Sequence, residues 1–474
     1  MEDPVGIGNQ LKEAYINYIT TNIPILDKGI DAERRALLSK DKVLMQSPIL
    51  ELVNNYPSGK DSMLSICKEV YKDEEQANTV ADFLQKSVLG KYSPYEHQKD
   101  AFIDVVGKNL NLIVTTGTGS GKTETFLMPL LASLIEESKD WKNGKENVMR
   151  SMILYPLNAL AEDQMSRLRE TLDSRSIKNW LDENRNGARI TFGRYTGNTP
   201  TEFSSCKSIK EQEWKKVNEL IKKPAYQKKQ DLIYSYSCMD MKPGRAKISC
   251  NDDRDSSEII SRDIMAGYED KKGRVEANPP DIFITNYSML NIILMRPSES
   301  EIFEKTKKWL AEDPKHKFTL VVDELHTYRG TAGTEVAYII KILLSRLGLT
   351  PDSNQVRFLC SSASMDSSKE HIAESKKFVM DFFGIEKKSF NDSFSWIMDK
   401  TETIECPNVN EINFNEVAEY INKDSKTIVE YIRNKKIIEW LKFKTKDETG
   451  FVKPASVLEL KRLFNCSEKD IQNL

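Results

Sequence analysis

Residues 110–135 read LNLIVTTGTGSGKTETFLMPLLASLI. LNLIVT is short, apolar and flanked by turn residues, the pattern of a buried strand. It runs straight into Thr116-Gly117-Thr118-Gly119-Ser120-Gly121-Lys122-Thr123-Glu124, and the helix TETFLMPLLASLI follows. A glycine-rich turn lets backbone N–H groups close around phosphate oxygens, and the helix N-terminus adds a partial positive charge. Lys122 is then placed to reach the β- and γ-phosphates, and the Thr123 hydroxyl to ligate Mg²⁺. The strict phosphate-loop pattern has glycine where this chain has Thr116. The competing reading is an ordinary glycine turn, and the strand–loop–helix context argues against it.

Working outward, further apolar runs alternate with helical stretches: SMILY (151–155), ARITF (188–192), DIFIT (281–285), FTLVV (318–322) and VRFLC (356–360). Near-continuous apolar strands separated by helices indicate an α/β fold, with a parallel sheet covered on both faces. Such sheets bind ligands at the carboxyl ends of their strands. There, FTLVV ends in Asp323-Glu324-Leu325-His326. A carboxylate at the tip of a buried strand suits a metal–water contact, the role of Asp323, and Glu324 beside it can polarise an attacking water. A lone Asp-Glu pair is usually a solvated strand end; about 200 residues after a phosphate loop in one sheet it gains weight. After it, Val336, Ile339, Ile340, Leu343, Leu344 and Leu347 share one helix face, which reads as core.

Together, TGTGSGKTE, DELH and Ser362-Ala363-Ser364 resemble the first RecA-like lobe of superfamily 2 helicases of the DExH type. Tyr95-Glu96-His97-Gln98, ending 18 residues before Thr116, is similar to the family's adenine-reading motif, which implies adenine contact by Gln98 and stacking by Tyr92 or Tyr95. YPLNALAEDQ (155–164) resembles motif Ia, GRYTGNTP (193–200) motif Ib, and PPDIFITNYSML (279–290) the following strand motif. The resemblance implies nucleic-acid contacts by Pro156, Asn158, Gln164, Thr196, Gly197, Thr285 and Asn286. It implies coupling of nucleotide to strand through His326, Ser362 and Ser364, with ATP and Mg²⁺ as cofactors. YPLNAL, TNYSML and DELHTYRGTAGTEVA together resemble the large bacterial antiphage-defence helicases of the Druantia and DISARM type, and related repair helicases. Asn158 and Ser364 depart from commoner family residues.

The chain has 474 residues, enough for two or three domains. Lys plus Arg total 69 and Asp plus Glu 72, a net charge of −3 that excludes a wholesale polycation and leaves room for a local basic groove. No apolar run is long enough for a transmembrane helix, and Met-Glu-Asp-Pro-Val-Gly does not start a signal peptide, so a cytoplasmic location without membrane contact is expected. The seven cysteines form no C-x-x-C pair and read as reduced thiols.

Residues 1–90 read as a helical accessory region broken by Pro24, Pro48 and Pro57. Residues 91–384 read as the RecA-like ATP-binding domain, with an insertion at 201–278. Within the insertion, 207–229 carries eight lysines against three glutamates, mixed with Trp214 and Tyr226. Solvated surface is one reading of these lysines; a flap on nucleic-acid phosphates is the other. Residues 385–474 read as a helical connecting module, without the Q-x-x-G-R-x-x-R motif of a second RecA-like lobe. The expectation is an ATP-binding helicase or translocase lobe acting on DNA rather than RNA, with the second lobe in a longer chain or in trans. The alternative is a nucleotide-gated nucleic-acid or partner-binding module that does not unwind.

Overall fold

The computed structural model describes residues 4–40, 43–46, 49–50, 52, 56, 59–117, 119–199, 257–259, 262–270, 273–363, 371–398, 425–434, 436–446, 452, 454–456, 459–460 and 462. Its strands are β1 (Ile49–Leu50), β2 (Asn111–Thr115), β3 (Ser151–Tyr155), β4 (Phe192–Tyr195), β5 (Tyr268–Asp270), β6 (Gly273–Val275), β7 (Ile282–Asn286), β8 (Phe318–Val322), β9 (Val356–Ser361), β10 (Phe394–Met398) and β11 (Ala455–Ser456). The chain divides into two compact units, Tyr56–Lys400 and the pair Met1–Asn55 with Thr401–Leu474.

In Tyr56–Lys400, seven parallel strands run in the order β10-β2-β9-β8-β3-β7-β4. Successive residues of one strand serve opposite faces. Leu112 and Val114 pack with Phe126 and Leu131 of the helix Lys122–Glu137, while Ile113 joins Leu154, Leu320 and Phe358 on the other side. That alternation of two apolar faces is why the strands read as continuous hydrophobic runs. The helices Met63–Val70 and Glu74–Leu84 bury Met63, Ile66, Phe83 and Leu84 in the first of these cores. The expected stripe on the helix Gly330–Arg346 and just beyond, from Val336 to Leu347, is buried in the second.

Two readings of local structure change. The run at 188–192 pairs only from Phe192 onward, as β4. Upstream, Asn186 and Gly187 take left-handed backbone after a helix end, and the Thr191 N–H goes to the Asp281 carboxylate at 2.6 Å. And the region after 385 is not helical throughout: Phe394–Met398 forms the edge strand β10 beside β2, as its aromatic and branched residues allow. Beyond β4, Phe192 exchanges backbone bonds with Ser257 and Ile259 at 2.8 Å each, and Glu258 forms a buried two-bond pair with Arg169. The rest of the insertion that is described comprises the helix Arg262–Ala266 and the antiparallel pair β5–β6. The lysines of 207–229 lie outside the described residues.

The amino end of the sheet holds buried charge. Asp281 accepts from Arg150 at 2.8 Å, from the Thr191 hydroxyl at 2.9 Å and from Lys145, while Arg150 also bonds Glu137 at 2.7 Å. The Arg150 guanidinium lies over the rings of Trp141 and Trp309. At the same end, Arg357 and Lys317 both donate to Asn109, and Tyr71 donates to Glu136. In the other unit, the helices Pro4–Asn22 and Lys28–Leu38 are joined by Arg35, which bonds Asn17 and Thr20. There β1 pairs antiparallel with β11, and Tyr431, Ile437 and Leu441 form a small core. Cys67 and Cys360 are free and buried; the other cysteines lie outside the described residues. No described helix is long and apolar enough to cross a membrane.

Candidate nucleotide-binding site

The loop between β2 and the helix Lys122–Glu137 depends on its glycines. Gly119 and Gly121 have φ of 78° and 73°, a region that costs other residues strain. A Cβ on Gly121 would also come within 2.5 Å of Gln98 Nε2. Gly121 caps the helix with no side-chain bond, which leaves the helix N-terminus to the loop and whatever it binds. Thr116, the departure from the strict pattern, is buried and bonds Ser120 Oγ at 2.6 Å, so its hydroxyl braces the loop from inside. Thr118 lies outside the described residues.

Four elements converge on this loop. Lys122 Nζ lies 3.7 Å from Glu324 Oε1. Neither Lys122 Nζ nor Glu324 Oε2, both shielded from solvent, has a hydrogen-bond partner among the described residues. A shielded ammonium and a shielded carboxylate oxygen without hydrogen bonds are costly in a fold and informative about function. Glu324 has φ 51°, left-handed backbone in a residue that rarely adopts it, and strain of this kind gathers at functional sites. His326 Nδ1 stands 3.2 Å from Glu324 Oε2, at ion-pair distance but not aligned for a hydrogen bond, and 3.2 Å from Ser362 Oγ. Asp323 accepts from its neighbour's N–H at 3.0 Å and from Ser361 Oγ. Burial pushes the Asp323 carboxyl above its usual range, and the Ser361 bond pulls it back. Ser361 is a site residue that the motif pattern passes over, because it precedes the Ser-Ala-Ser box; the β8–β9 register was the signal. Ser364 lies outside the described residues.

The adenine motif is built around the same loop. Gln98 is buried; its Nε2 donates to the Gly121 carbonyl at 3.0 Å and its Oε1 accepts from the Tyr95 N–H at 2.9 Å. His97 Nε2 lies 2.9 Å from the Ser120 carbonyl. The Tyr95 ring stacks on His97 at 5.6 Å, whereas Tyr92 is 67% exposed, so Tyr92 is the open ring of the two.

The expected nucleic-acid residues separate into two groups. Pro156 sits in the bend after β3 and Asn158 opens the helix Asn158–Leu172, where it accepts from Asn286 Nδ2 at 2.5 Å. Asn286 also caps the helix Tyr287–Met295 through the Met289 N–H. Gly197 faces open space, and the carbonyls of Thr196 and Gly197 both accept from Arg262. Gln164, Thr285 and Thr196 are buried, as is Asn286. Gln164 Nε2 donates to Thr123 Oγ1 at 3.2 Å, and Thr285 Oγ1 to the Tyr195 carbonyl at 2.7 Å. Gln164 lies two turns into its helix, on the side facing the sheet; the motif spacing alone did not distinguish that side from the strand-facing turn. The same helix sends Arg167 to Glu124 at 2.9 Å.

A strand running into a glycine loop at a helix N-terminus, with paired acids at a neighbouring strand tip, is an arrangement suited to phosphate. Residues 95–221 match the family model for DEAD/DEAH box helicases, so the chain carries a DEAD/DEAH helicase domain. Druantia protein DruE of Escherichia coli (strain UMEA 4076-1) is 33% identical over 409 residues, covering 80% of this chain and 21% of the relative. The uncharacterized ATP-dependent helicase YprA of Bacillus subtilis (strain 168) is 26% identical over 276 residues, 58% of this chain and 23% of the relative. The chain thus spans between a fifth and a quarter of these curated relatives. A solved DUF1998 helicase, MrfA bound to DNA, aligns over 94% of this chain and 45% of its own at 19% identity, with a TM-score of 0.38.

Proposed function

We propose that this chain is the ATP-binding motor lobe of a nucleic-acid helicase or translocase, working on DNA in bacterial defence or repair. The observation that carries the reading is the meeting of Lys122 and Glu324, from separate strands' ends, at the mouth of a glycine loop. The residues suit ATP and Mg²⁺. The loop and helix N-terminus offer N–H groups to phosphates, and Lys122 turns from Glu324 to the β- and γ-oxygens. Mg²⁺ in such sites takes one or two carboxylates beside phosphate and water, which Asp323 and the Thr123 hydroxyl provide. When bound, it neutralises charge on the phosphate oxygens. Glu324, freed from Lys122, orients the attacking water, and His326 links it to Ser362. Gln98 holds the loop and Tyr92 stacks on the adenine. Asn158, Pro156 and Gly197 line the strand path, with the buried Asn286 holding Asn158 in place, gripping the backbone without reading bases.

The motor lobe is the compact unit Tyr56–Lys400, which contains the span 91–384 expected from the motifs and adds the helices before it and the edge strand β10 after it; the remaining regions serve as accessory and connecting modules in a cytoplasmic protein. A second RecA-like lobe, in a longer chain or in trans, supplies arginines to the γ-phosphate. Without such arginines P-loop enzymes turn over roughly 10³–10⁵ slower, so slow hydrolysis is expected from this chain alone. The Druantia relative supports the defence setting, and the preference for DNA rests on the family resemblance. The test is ATPase activity of this chain and of its longest natural version, with single-stranded DNA, duplex DNA and RNA. Stimulation by DNA, abolished by Glu324→Gln, is the expected result. An ATPase indifferent to every nucleic acid would overturn the reading.

A further inference from the structure

We propose that Ser361 is a positioning residue for Asp323, fixing which carboxylate oxygen is turned toward a nucleotide-bound Mg²⁺. The inference deepens the phosphate-site reading and rests on it. Parallel register sets up the contact. Val322 lies opposite Cys360, so the next residues, Asp323 and Ser361, emerge side by side at the carboxyl end of β8 and β9. Ser361 is 1% exposed, and its hydroxyl donates to Asp323 Oδ1. The same Oδ1 accepts the Glu324 N–H at 3.0 Å. Two donors on one oxygen fix the carboxylate plane and assign the remaining oxygen, Oδ2, to the metal.

The flanking groups do not duplicate this bond. On the β3 side the register places Tyr155 next to Asp323, since Leu154 faces Val322. The Tyr155 hydroxyl is buried and has no hydrogen-bond partner among the described residues, so it does not hold Asp323. Ser362, the neighbouring serine, faces His326 instead. The two consecutive serines therefore part ways: Ser361 holds Asp323 directly, and Ser362 contacts His326. A hydroxyl at 361 is needed for metal geometry rather than for packing, which alanine would satisfy.

The experiment measures ATP affinity by calorimetry with saturating Mg²⁺ and with chelator, on the full chain and on Ser361→Ala, Ser361→Thr and Lys122→Ala. Groups that orient metal ligands typically change metal affinity by about 10–100-fold when removed. Ser361→Ala is expected to lose at least about tenfold of the Mg²⁺-dependent gain in affinity, with metal-free affinity unchanged, and Ser361→Thr to restore it. An unchanged Mg²⁺ gain in Ser361→Ala overturns the proposal. So does an equal loss with and without Mg²⁺, which marks a packing role. Lys122→Ala separates the two layers. If it binds ATP as the parent does, the phosphate-site reading itself fails; if it loses binding while Ser361→Ala keeps its Mg²⁺ gain, only the role of Ser361 fails.

Discussion

At the amino end of the sheet, Asp281 receives hydrogen bonds from Arg150, Lys145 and Thr191. At the carboxyl end, Lys122 Nζ donates no hydrogen bond to the described residues and Glu324 Oε2 accepts none from them, although Nζ lies 3.7 Å from Glu324 Oε1. Both ends hold charged groups shielded from water, and the strands joining them are equally apolar. At one end, the bonded charges of Asp281, Arg150 and Lys145 tie strands and helices together. Unsatisfied charge at the other costs stability, and a fold retains it where a ligand completes the bonds. The strained Glu324 backbone falls at the same end. The contrast assigns stability to one rim of the sheet and chemistry to the other.

The sharpest way to break this contrast is to remove a charge from each rim. Asp281→Ala leaves Lys145 and Arg150 buried without their carboxylate. Removing one partner of a buried pair costs about 3–5 kcal/mol, so the denaturant midpoint should fall steeply. Lys122→Ala removes a cation that makes no hydrogen bond among the described residues and only a 3.7 Å contact with the part-exposed Glu324. It should leave the midpoint near the parent's and lower ATP affinity at least about tenfold, or ~1.4 kcal/mol. A Lys122 variant that unfolds early but binds ATP normally would reverse the assignment of the two rims.

The amino-end network was not legible in the sequence. Arg150, Asp281 and Lys145 are scattered charges that only the β3–β7 pairing brings together. The carboxyl end was legible, because strand tips bring Lys122, Glu324 and Ser362 together wherever a parallel sheet forms, and spacing alone marks the tips. What the resemblance did not carry was direction. It implied strand contacts by Gln164 and Thr285, yet in the fold both turn inward, one to Thr123 and one to the Tyr195 carbonyl. It left Tyr92 and Tyr95 open; the Tyr95 ring stacks on His97, whereas Tyr92 is exposed. β10 was missed because five residues between polar flanks become a strand only when a neighbouring edge is open to them.

Gln98 sharpens the comparison, because it is a buried, bonded group at the functional end. Its amide joins the Tyr95 N–H to the Gly121 carbonyl. Gln98→Ala should cost stability as a lost buried hydrogen bond does, about 0.5–1.5 kcal/mol. If the amide also turns to adenine, the variant should lose discrimination between ATP and GTP in a competition assay. Unchanged discrimination with lowered stability would make Gln98 a brace for the loop and return adenine recognition to Tyr92.

The smallest expected effect is a pH dependence at the amino end. Lys317 is half-buried beside Arg357, and burial, with help from that cation, lowers its ammonium to about 8 from the usual 10.5 while Glu136 opposes the shift. Between pH 8 and 10.5 the folded chain therefore binds fewer protons at Lys317 than the unfolded chain does. Stability from this group accordingly rises with pH across that window, because stability increases wherever the unfolded state holds more protons. Below pH 8 both states are protonated, and the folded state carries a poorly solvated cation at constant cost. Lys317→Met removes that cost and the slope together. Denaturation of parent and variant between pH 7 and pH 9.5 should show the variant ahead at pH 7 and the gap narrowing as pH rises. A gap that stays constant would mean that Lys317 titrates normally and that its hydrogen bond to Asn109 keeps the ammonium adequately solvated.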